Sequence, residues 1–332
     1  MPDAHTPDTR TRPRLSAVSL AWWTIGVNAV VILQGAFVRA TGAGAGCGSH
    51  WPLCNGEIIP LSPGVATLTE FSHRLLSLLA LVMCGWLLRR AVTLRAEKPG
   101  FFVFALAAFV FVVIEALLGG ATVLWGLTGE NQSVARGLMV ATHLVNSLLL
   151  VGTLAGALVY ARDRAPVWPM RAGRQGALST VLLVGLIGMM VLMFSGGIAA
   201  MGNTMFPSDS LAGGLAADFD PESHPLVRLR ILHPLIAVSV GIYLFLALGL
   251  AWWMKPVREA RTLARTLLGV YVVQLGIGTL NLALLAPIVL QLTHLGLAVL
   301  SFGLLSAISV VFLGTPLAVR ASIARAAIGE RA

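Results

Sequence analysis

Eight separate apolar runs of about twenty residues or more constrain this chain more than any motif in it. They lie at 17–38, 70–88, 101–124, 138–160, 177–200, 229–253, 264–286 and 289–314. As a helix, each is long enough to cross a hydrocarbon core roughly 30 Å thick. In lipid a backbone must satisfy its own hydrogen bonds, so apolar runs of this length read as spanning helices. Of the 332 residues, 57% are hydrophobic and only 11% charged, whereas soluble domains carry about a quarter charged. The expected fold is an all-α integral membrane protein with eight transmembrane helices, and soluble classes are excluded. The first run ends at Gln34-Gly35-Ala36-Phe37-Val38 without a small-residue cleavage site, so it reads as a span and not a signal peptide.

Basic residues set the orientation, because Lys and Arg are retained on the cytoplasmic side. With the N-terminus inside, the inner segments hold Arg10, Arg12 and Arg14, then Arg89, Arg90, Arg95 and Lys98, then Arg162, Arg164, Arg171 and Arg174. They also hold Lys255, Arg258, Arg261 and Arg265, and finally Arg320, Arg325 and Arg331. An even number of spans returns the chain to the same side, so both termini are expected to be cytoplasmic. The net charge of +9 is then a topology signal and not a nucleic-acid footprint. Arg39, Arg74, Arg136, Arg228 and Arg230 fall instead near outer helix ends, where a cation has no topological reason to be and calls for an anionic partner.

The chain also repeats itself. Gln34-Gly35-Ala36 corresponds to Ser195-Gly196-Gly197, the stretch around His73 to that around His233, Glu115 to Gln274, and Ala141-Thr142-His143 to Leu292-Thr293-His294. Four spans separate each pair, which predicts two pseudo-symmetric four-helix bundles in parallel repeat. The resulting plan is an inner tail 1–16, a first half 17–160, an inner linker 161–176, a second half 177–314 and an inner tail 315–332.

Each half keeps two histidines, His73 and His143 in spans 2 and 4, His233 and His294 in spans 6 and 8, at matching depth near the outer ends. In an up-down bundle the second and fourth helices are diagonal neighbours, so the paired imidazoles face each other across the core. That arrangement suits bis-histidine heme, with room made by Gly35, Gly119, Gly120, Gly196, Gly197, Gly276 and Gly278. Polar packing histidines are one alternative and zinc another, although zinc lacks a third ligand on a neighbouring turn. The heme reading also gives Arg39, Arg74, Arg228 and Arg230 a role as propionate partners; snorkelling to lipid headgroups is the competing one.

Glu70 precedes His73 by three residues, which sets carboxylate and imidazole on one helical face, while Arg230 stands at the matching place in the second half. This asymmetry points to the first half as the reactive one, with Glu70 taking a proton or steadying positive charge; a solvated glutamate at a helix start is the bland alternative. Glu115, well inside span 3, is costly in lipid and reads as functional, with Gln274 as its counterpart. Cys47 and Cys54 share the first outer loop and read as a disulfide or a redox pair, whereas Cys84, inside span 2, reads as packing. His50 and His224, in outer loops, are not expected to be ligands.

Arg39-Ala-Thr-Gly-Ala-Gly-Ala-Gly-Cys47, Trp51-Pro-Leu-Cys54-Asn-Gly, Glu70-Phe-Ser-His73-Arg74-Leu, Ala141-Thr-His143 and Gln291-Leu-Thr-His294 together resemble the heme A synthase family, over about 17–314. The resemblance implies an enzyme that oxidises the C8 methyl of heme O to a formyl group, giving heme A for cytochrome c oxidase. It implies substrate heme between His73 and His143, a heme b cofactor between His233 and His294, Glu70 as the essential carboxylate and Cys47–Cys54 as the loop pair. Some members carry a second cysteine pair in the third outer loop; the stretch from Met201 to Arg228 has none. The implied setting is the cell's inner (plasma) membrane, with heme sites toward the outer face. The implied partners are heme O, the heme O-forming protoheme farnesyltransferase, cytochrome c oxidase assembly factors, lipid and a second copy of the chain, with no nucleic acid. Two other functions fit four intramembrane histidines: a di-heme b-type electron carrier linked to quinone, and a heme transporter or chaperone.

Overall fold

The computed structural model describes residues 16–170 and 175–315. The basic residues Arg10, Arg12, Arg14, Arg171, Arg174, Arg320, Arg325 and Arg331, and nearly all of both tails, lie outside them. The described chain is helical: α1 Ala17–Ala40, a 3-10 turn Ala43–Ala45, α2 Val65–Thr93, α3 Pro99–Leu124, α4 Val134–Ala161, α5 Ala177–Met205, α6 Leu211–Phe219, α7 Pro225–Arg228, α8 Leu232–Met254, α9 Arg258–Ala283 and α10 Ile288–Gly314. Among the described residues, eight helices are long and apolar enough to cross a membrane, with α7 and α8 counting as one, Pro225–Met254. This is a multi-pass membrane protein.

Local sequence explains where helices start. The Ser16 and Ser133 hydroxyls accept from the backbone N–H groups of Ser19 and Arg136 at 3.0 and 3.3 Å, satisfying donors that the first turns of α1 and α4 leave free. Pro99 and Pro225 stand in first turns, where a missing N–H costs nothing. The helices outrun the apolar runs, because a helix continues into the interfacial layer after its side chains turn polar. For α2 this matters: it begins at Val65, so Glu70 is in its second turn and buried, not a solvated residue at a helix start. The stretch from Met201 to Arg228, read from the sequence only as a loop, contains α6 and α7, the first capped by Ser210.

Helices α1, α2, α3 and α4 pack as a closed ring in that order, and α5, α8, α9 and α10 form a second ring. In each ring the histidine-bearing helices, α2 and α4 or α8 and α10, stand diagonally. The rings meet through α4 against α5 and α10, and α1 against α10. Accordingly 78% of the apolar window of α4 and 61% of that of α10 is buried inside the protein, against at most 33% for the other spans. Glycine makes this contact close. A Cβ on Gly197 of α5 would stand 2.9 Å from the Ala141 Cα of α4, and one on Gly152 of α4 would stand 2.8 Å from the Ser306 Oγ of α10. Gly197→Leu is expected to destabilise the protein by about 1–3 kcal/mol through overpacking. Gly249→Ala, on an open face of α8 with nothing within 4 Å, should be neutral or slightly stabilising. Thermal midpoints in detergent check the pair, and equal midpoints for Gly197→Leu and wild type would contradict the packing.

Candidate functional site

Each intramembrane histidine lies against a glycine of a neighbouring helix. A Cβ on Gly35 (α1) would stand 3.0 Å from His73 Cε1 (α2), and one on Gly119 (α3) 3.5 Å from His143 Cε1 (α4). A Cβ on Gly196 (α5) would stand 2.9 Å from His233 Cε1 (α8), and one on Gly278 (α9) 2.9 Å from His294 Cε1 (α10). These notches let a bulky ring occupy the helix interface without forcing the helices apart.

In the second ring, His233 and His294 face each other with ring centres 6.2 Å apart and planes at 85°. Two metal–nitrogen bonds of roughly 2 Å, with each ring centre about 1 Å further back, give about the same separation for two imidazoles on one heme iron. His233 Nδ1 lies 3.1 Å from Ser195 Oγ, the kind of outer-shell contact that fixes a ligand's tautomer. The narrow cavity between the rings is lined by Leu192, Ala237, Tyr271, Gln274 and Leu275. His73, His143 and His294 each carry a buried Nδ1 with no hydrogen-bond partner. An unpaired buried ring nitrogen is costly, so these three rings are held in place by packing and not by a hydrogen bond at Nδ1. The residues fit a heme between His233 and His294.

The first ring differs. His143 Nε2 stands 3.2 Å from Glu115 Oε1, and the same carboxylate accepts from Asn146 Nδ2 and Ser147 Oγ. The Glu115 carboxylate, expensive in lipid, is thus satisfied by three residues of α4. In the second ring Gln274 Oε1 accepts instead from Ser301 Oγ of α10 at 3.2 Å. Sequence reading singled out Glu115 and Gln274 but not Asn146, Ser147 or Ser301, whose partners became apparent only with the packing of α3 on α4 and α9 on α10.

Glu70 is 4% exposed, and both its oxygens are engaged. Oε1 accepts from Arg74 Nη2 at 2.5 Å and Oε2 from the Cys47 backbone N–H at 2.9 Å. Cys47 is disulfide-bonded to Cys54. Past Cys54 the chain reverses through Asn55 and Gly56, both at positive φ, with Cys54 and Glu57 exchanging backbone hydrogen bonds at 2.9 Å; Asn-Gly is the pair such a turn favours. The loop lies across the helix ends, and its Trp51 ring fills the notch at Gly120, where a Cβ would stand 2.8 Å from it. Trp51 therefore packs one residue along from the glycine that faces His143. Sequence reading quoted Trp51 in a motif but gave it no role; the adjacent glycines 119 and 120 are the signal that could have found it. Cys84 is free and buried, as a packing residue.

Four of the five stray arginines, Arg39, Arg74, Arg136 and Arg230, are held by the protein itself. Arg39 donates across to the other ring, to Ala200 O at 3.0 Å, Thr204 Oγ1 and Gln291 Oε1 at 2.7 Å. Arg136 holds Gly129 O and Asn131 O at 2.6 and 2.8 Å. Arg230 pairs with Asp218 of α6 at 2.7 Å and with Asn203 Oδ1 at 2.9 Å. Arg228 is exposed, with a single long contact to Pro221 O at 3.4 Å. Of the outer-loop histidines, His224 accepts from the Leu226 N–H and stacks on Phe206, while the His50 carbonyl accepts from Arg74.

Two rings of membrane-spanning helices, each carrying a diagonal pair of glycine-backed histidines, with buried carboxylates beside the first pair, define a multi-pass membrane protein built around intramembrane histidine pairs. The model of the COX15-CtaA family, described as cytochrome oxidase assembly protein, matches residues 19–306, and the chain belongs to that family. A Thermus thermophilus protein named protoheme IX farnesyltransferase is 43% identical over 284 residues, covering 84% of this chain and 45% of that protein. Proteins named heme A synthase from Exiguobacterium sibiricum and Bacillus mycoides are 34% identical over 140 residues and 44% over 103, covering 41% and 29% of this chain and 43% and 31% of theirs. The chain spans less than half the length of these curated relatives in the matching regions.

Proposed function

We propose that this protein is a heme A synthase, which oxidises the C8 methyl of heme O through hydroxymethyl to formyl. The observation that carries the reading is the buried Glu70, clamped one turn from His73, where the other ring has Arg230 near His233. A symmetric pair of electron-carrying hemes has no use for that difference, whereas an oxidation that releases protons on one side has. The heme A synthase names of the relatives support it.

In this reading the chain consists of two pseudo-symmetric halves, 17–160 and 177–314, with the substrate heme between His73 and His143 and a heme b cofactor between His233 and His294. Heme b, when bound, supplies one-electron transfer. As the methyl is oxidised, Glu70 would accept a released proton or steady the developing positive charge. Asn146 and Ser147 hold Glu115, which engages His143 Nε2 when no iron is bound there, while Trp51 and the disulfide loop cover the first ring's site. Among the arginines, Arg228 has the most free hydrogen-bonding capacity for a propionate; Arg39, Arg74 and Arg230 are already engaged by protein groups. The membrane is the plasma membrane, with the basic loops around Arg90, Arg162 and Arg258 cytoplasmic and the disulfide loop outside. The Thermus thermophilus relative, named for farnesyl transfer yet matching most of this chain, supports a link to the enzyme that makes heme O.

The test is heme extraction with chromatography and mass analysis from membranes of a host lacking heme A that co-expresses this chain and a protoheme farnesyltransferase. Heme A or its hydroxylated intermediate is expected. Heme b and unchanged heme O in a folded, heme-loaded protein would make the di-heme electron carrier the better account, and reversible uptake of unaltered heme the transporter.

A further inference from the structure

The Arg74 guanidinium does more than pair with Glu70. Nη2 holds Glu70 Oε1, while Nη1 donates to the carbonyls of His50 at 2.8 Å, Leu53 at 2.6 Å and, at longer range, Pro52 at 3.4 Å. All three carbonyls lie inside the ring of chain that the Cys47–Cys54 disulfide closes. The other Glu70 oxygen is held by the N–H of Cys47 itself. Both contacts on the carboxylate therefore run through the closed loop, one directly and one by way of Arg74. The loop is seated on α2 independently, by Thr67 Oγ1 donating to Gly46 O at 2.8 Å and by Gly46, where any Cβ would collide with the Ala66 backbone. Arginine suits the role because its planar fork spans two acceptor sets at once, which the point charge of a lysine does not.

We infer that Arg74 is a positioning residue that couples the disulfide-closed loop to the Glu70 carboxylate, so that the Cys47–Cys54 oxidation state and the placement of Glu70 are thermodynamically linked. With the disulfide formed, the three carbonyls and the Cys47 N–H converge on Arg74 and Glu70. Reduction takes two electrons and two protons from a dithiol, which becomes its own cyclic disulfide, and leaves two thiols. The loop is then free to open and the carboxylate loses its fixed donors. Linkage is reciprocal, so weakening the Arg74–Glu70 clamp must make the disulfide easier to reduce. The consequence for turnover rests on the heme A synthase reading; the linkage itself does not.

The full-length protein in detergent is equilibrated with dithiothreitol buffers of graded reduced-to-oxidised ratio, then denatured and labelled with a thiol mass tag, with the free Cys84 as internal reference. Arg74→Gln is expected to shift the equilibrium toward the dithiol by about tenfold, about 30 mV. Glu70→Gln, which keeps an acceptor for the Cys47 N–H, should shift it about threefold. The double variant should shift it by less than the product of the two, because both act through one contact. A shift below twofold for Arg74→Gln, in protein with wild-type thermal midpoint and heme content, overturns the inference. If Arg74→Gln fails to fold, Arg74→Lys replaces it: a threefold or greater shift supports the linkage and a shift below twofold overturns it. Because the redox titration reads no turnover, a positive linkage together with no heme A formed by the wild-type chain would count against the proposed function and not against the linkage.

Discussion

Glu70→Gln is expected to reduce heme A formation by about 100-fold or more while leaving heme content per chain unchanged. The substitution is isosteric and keeps an oxygen for the Cys47 N–H, so the loop contact at 2.9 Å survives in part. What is lost is the charge that pairs with Arg74 and the capacity to take up a proton. Glu70 is not among the ligand histidines, so the porphyrins should still bind. Heme A and the hydroxylated intermediate are quantified from membranes, with total heme per chain measured on the purified protein. Product within threefold of wild type would mean that the carboxylate is not required. Loss of heme along with product would mean that its role is to build the site. Glu70→Asp sharpens the reading: it retains the charge but withdraws it by one methylene, so it should fall between the two.

How much of this site the sequence discloses follows from the range of the interactions involved. The spans are written locally, in unbroken apolar runs, and among the described residues eight appear where eight were expected. The histidines stand out because a titratable ring in an apolar helix is costly, and their glycines stand out as small residues at repeat-related positions. Cys47 and Cys54 in one outer loop read as a disulfide or a redox pair, and they are disulfide-bonded. The surroundings of Glu70 were not readable. Its partners are a backbone N–H 23 positions earlier and an arginine whose other bonds go to carbonyls of a turn-rich loop, and backbone groups leave no residue-type signature. The same limitation hid the acceptors of Arg39, which lie on α5 and α10, more than 160 positions away. For Arg39 an unexplained cation invited an anionic partner, where the fold supplies a carbonyl, an amide oxygen and a hydroxyl; Arg74 and Arg230 do find carboxylates, in Glu70 and Asp218. Likewise, α6 escaped notice because a nine-residue helix with no buried residue imposes little hydrophobic pattern.

The two histidine pairs should separate cleanly when each is removed in turn. His233→Ala or His294→Ala is expected to abolish the low-spin bis-histidine absorption of the purified protein and to cut product by about 100-fold or more, since one axial ligand alone does not hold iron six-coordinate. His73→Ala or His143→Ala should remove product as completely while leaving that absorption and its midpoint potential close to wild type. The basis of the contrast is geometric. His233 and His294 already stand 6.2 Å apart, with Ser195 beside His233 Nδ1, a preformed pair for a resident group. His143 instead rests with Nε2 at 3.2 Å from Glu115, so in the proposed reading its ring would exchange a protein contact for the iron on heme binding and regain it on release. A site that must release its product gains from such a competing contact, whereas a site that keeps its cofactor does not. Glu115→Gln tests this step directly: it weakens the competitor and should slow product release, seen as heme A retained on the purified protein at a higher ratio to heme b than in wild type. Equal loss of the bis-histidine absorption in all four histidine variants would show instead that both rings hold resident heme, and the assignment of the first ring to substrate would fall.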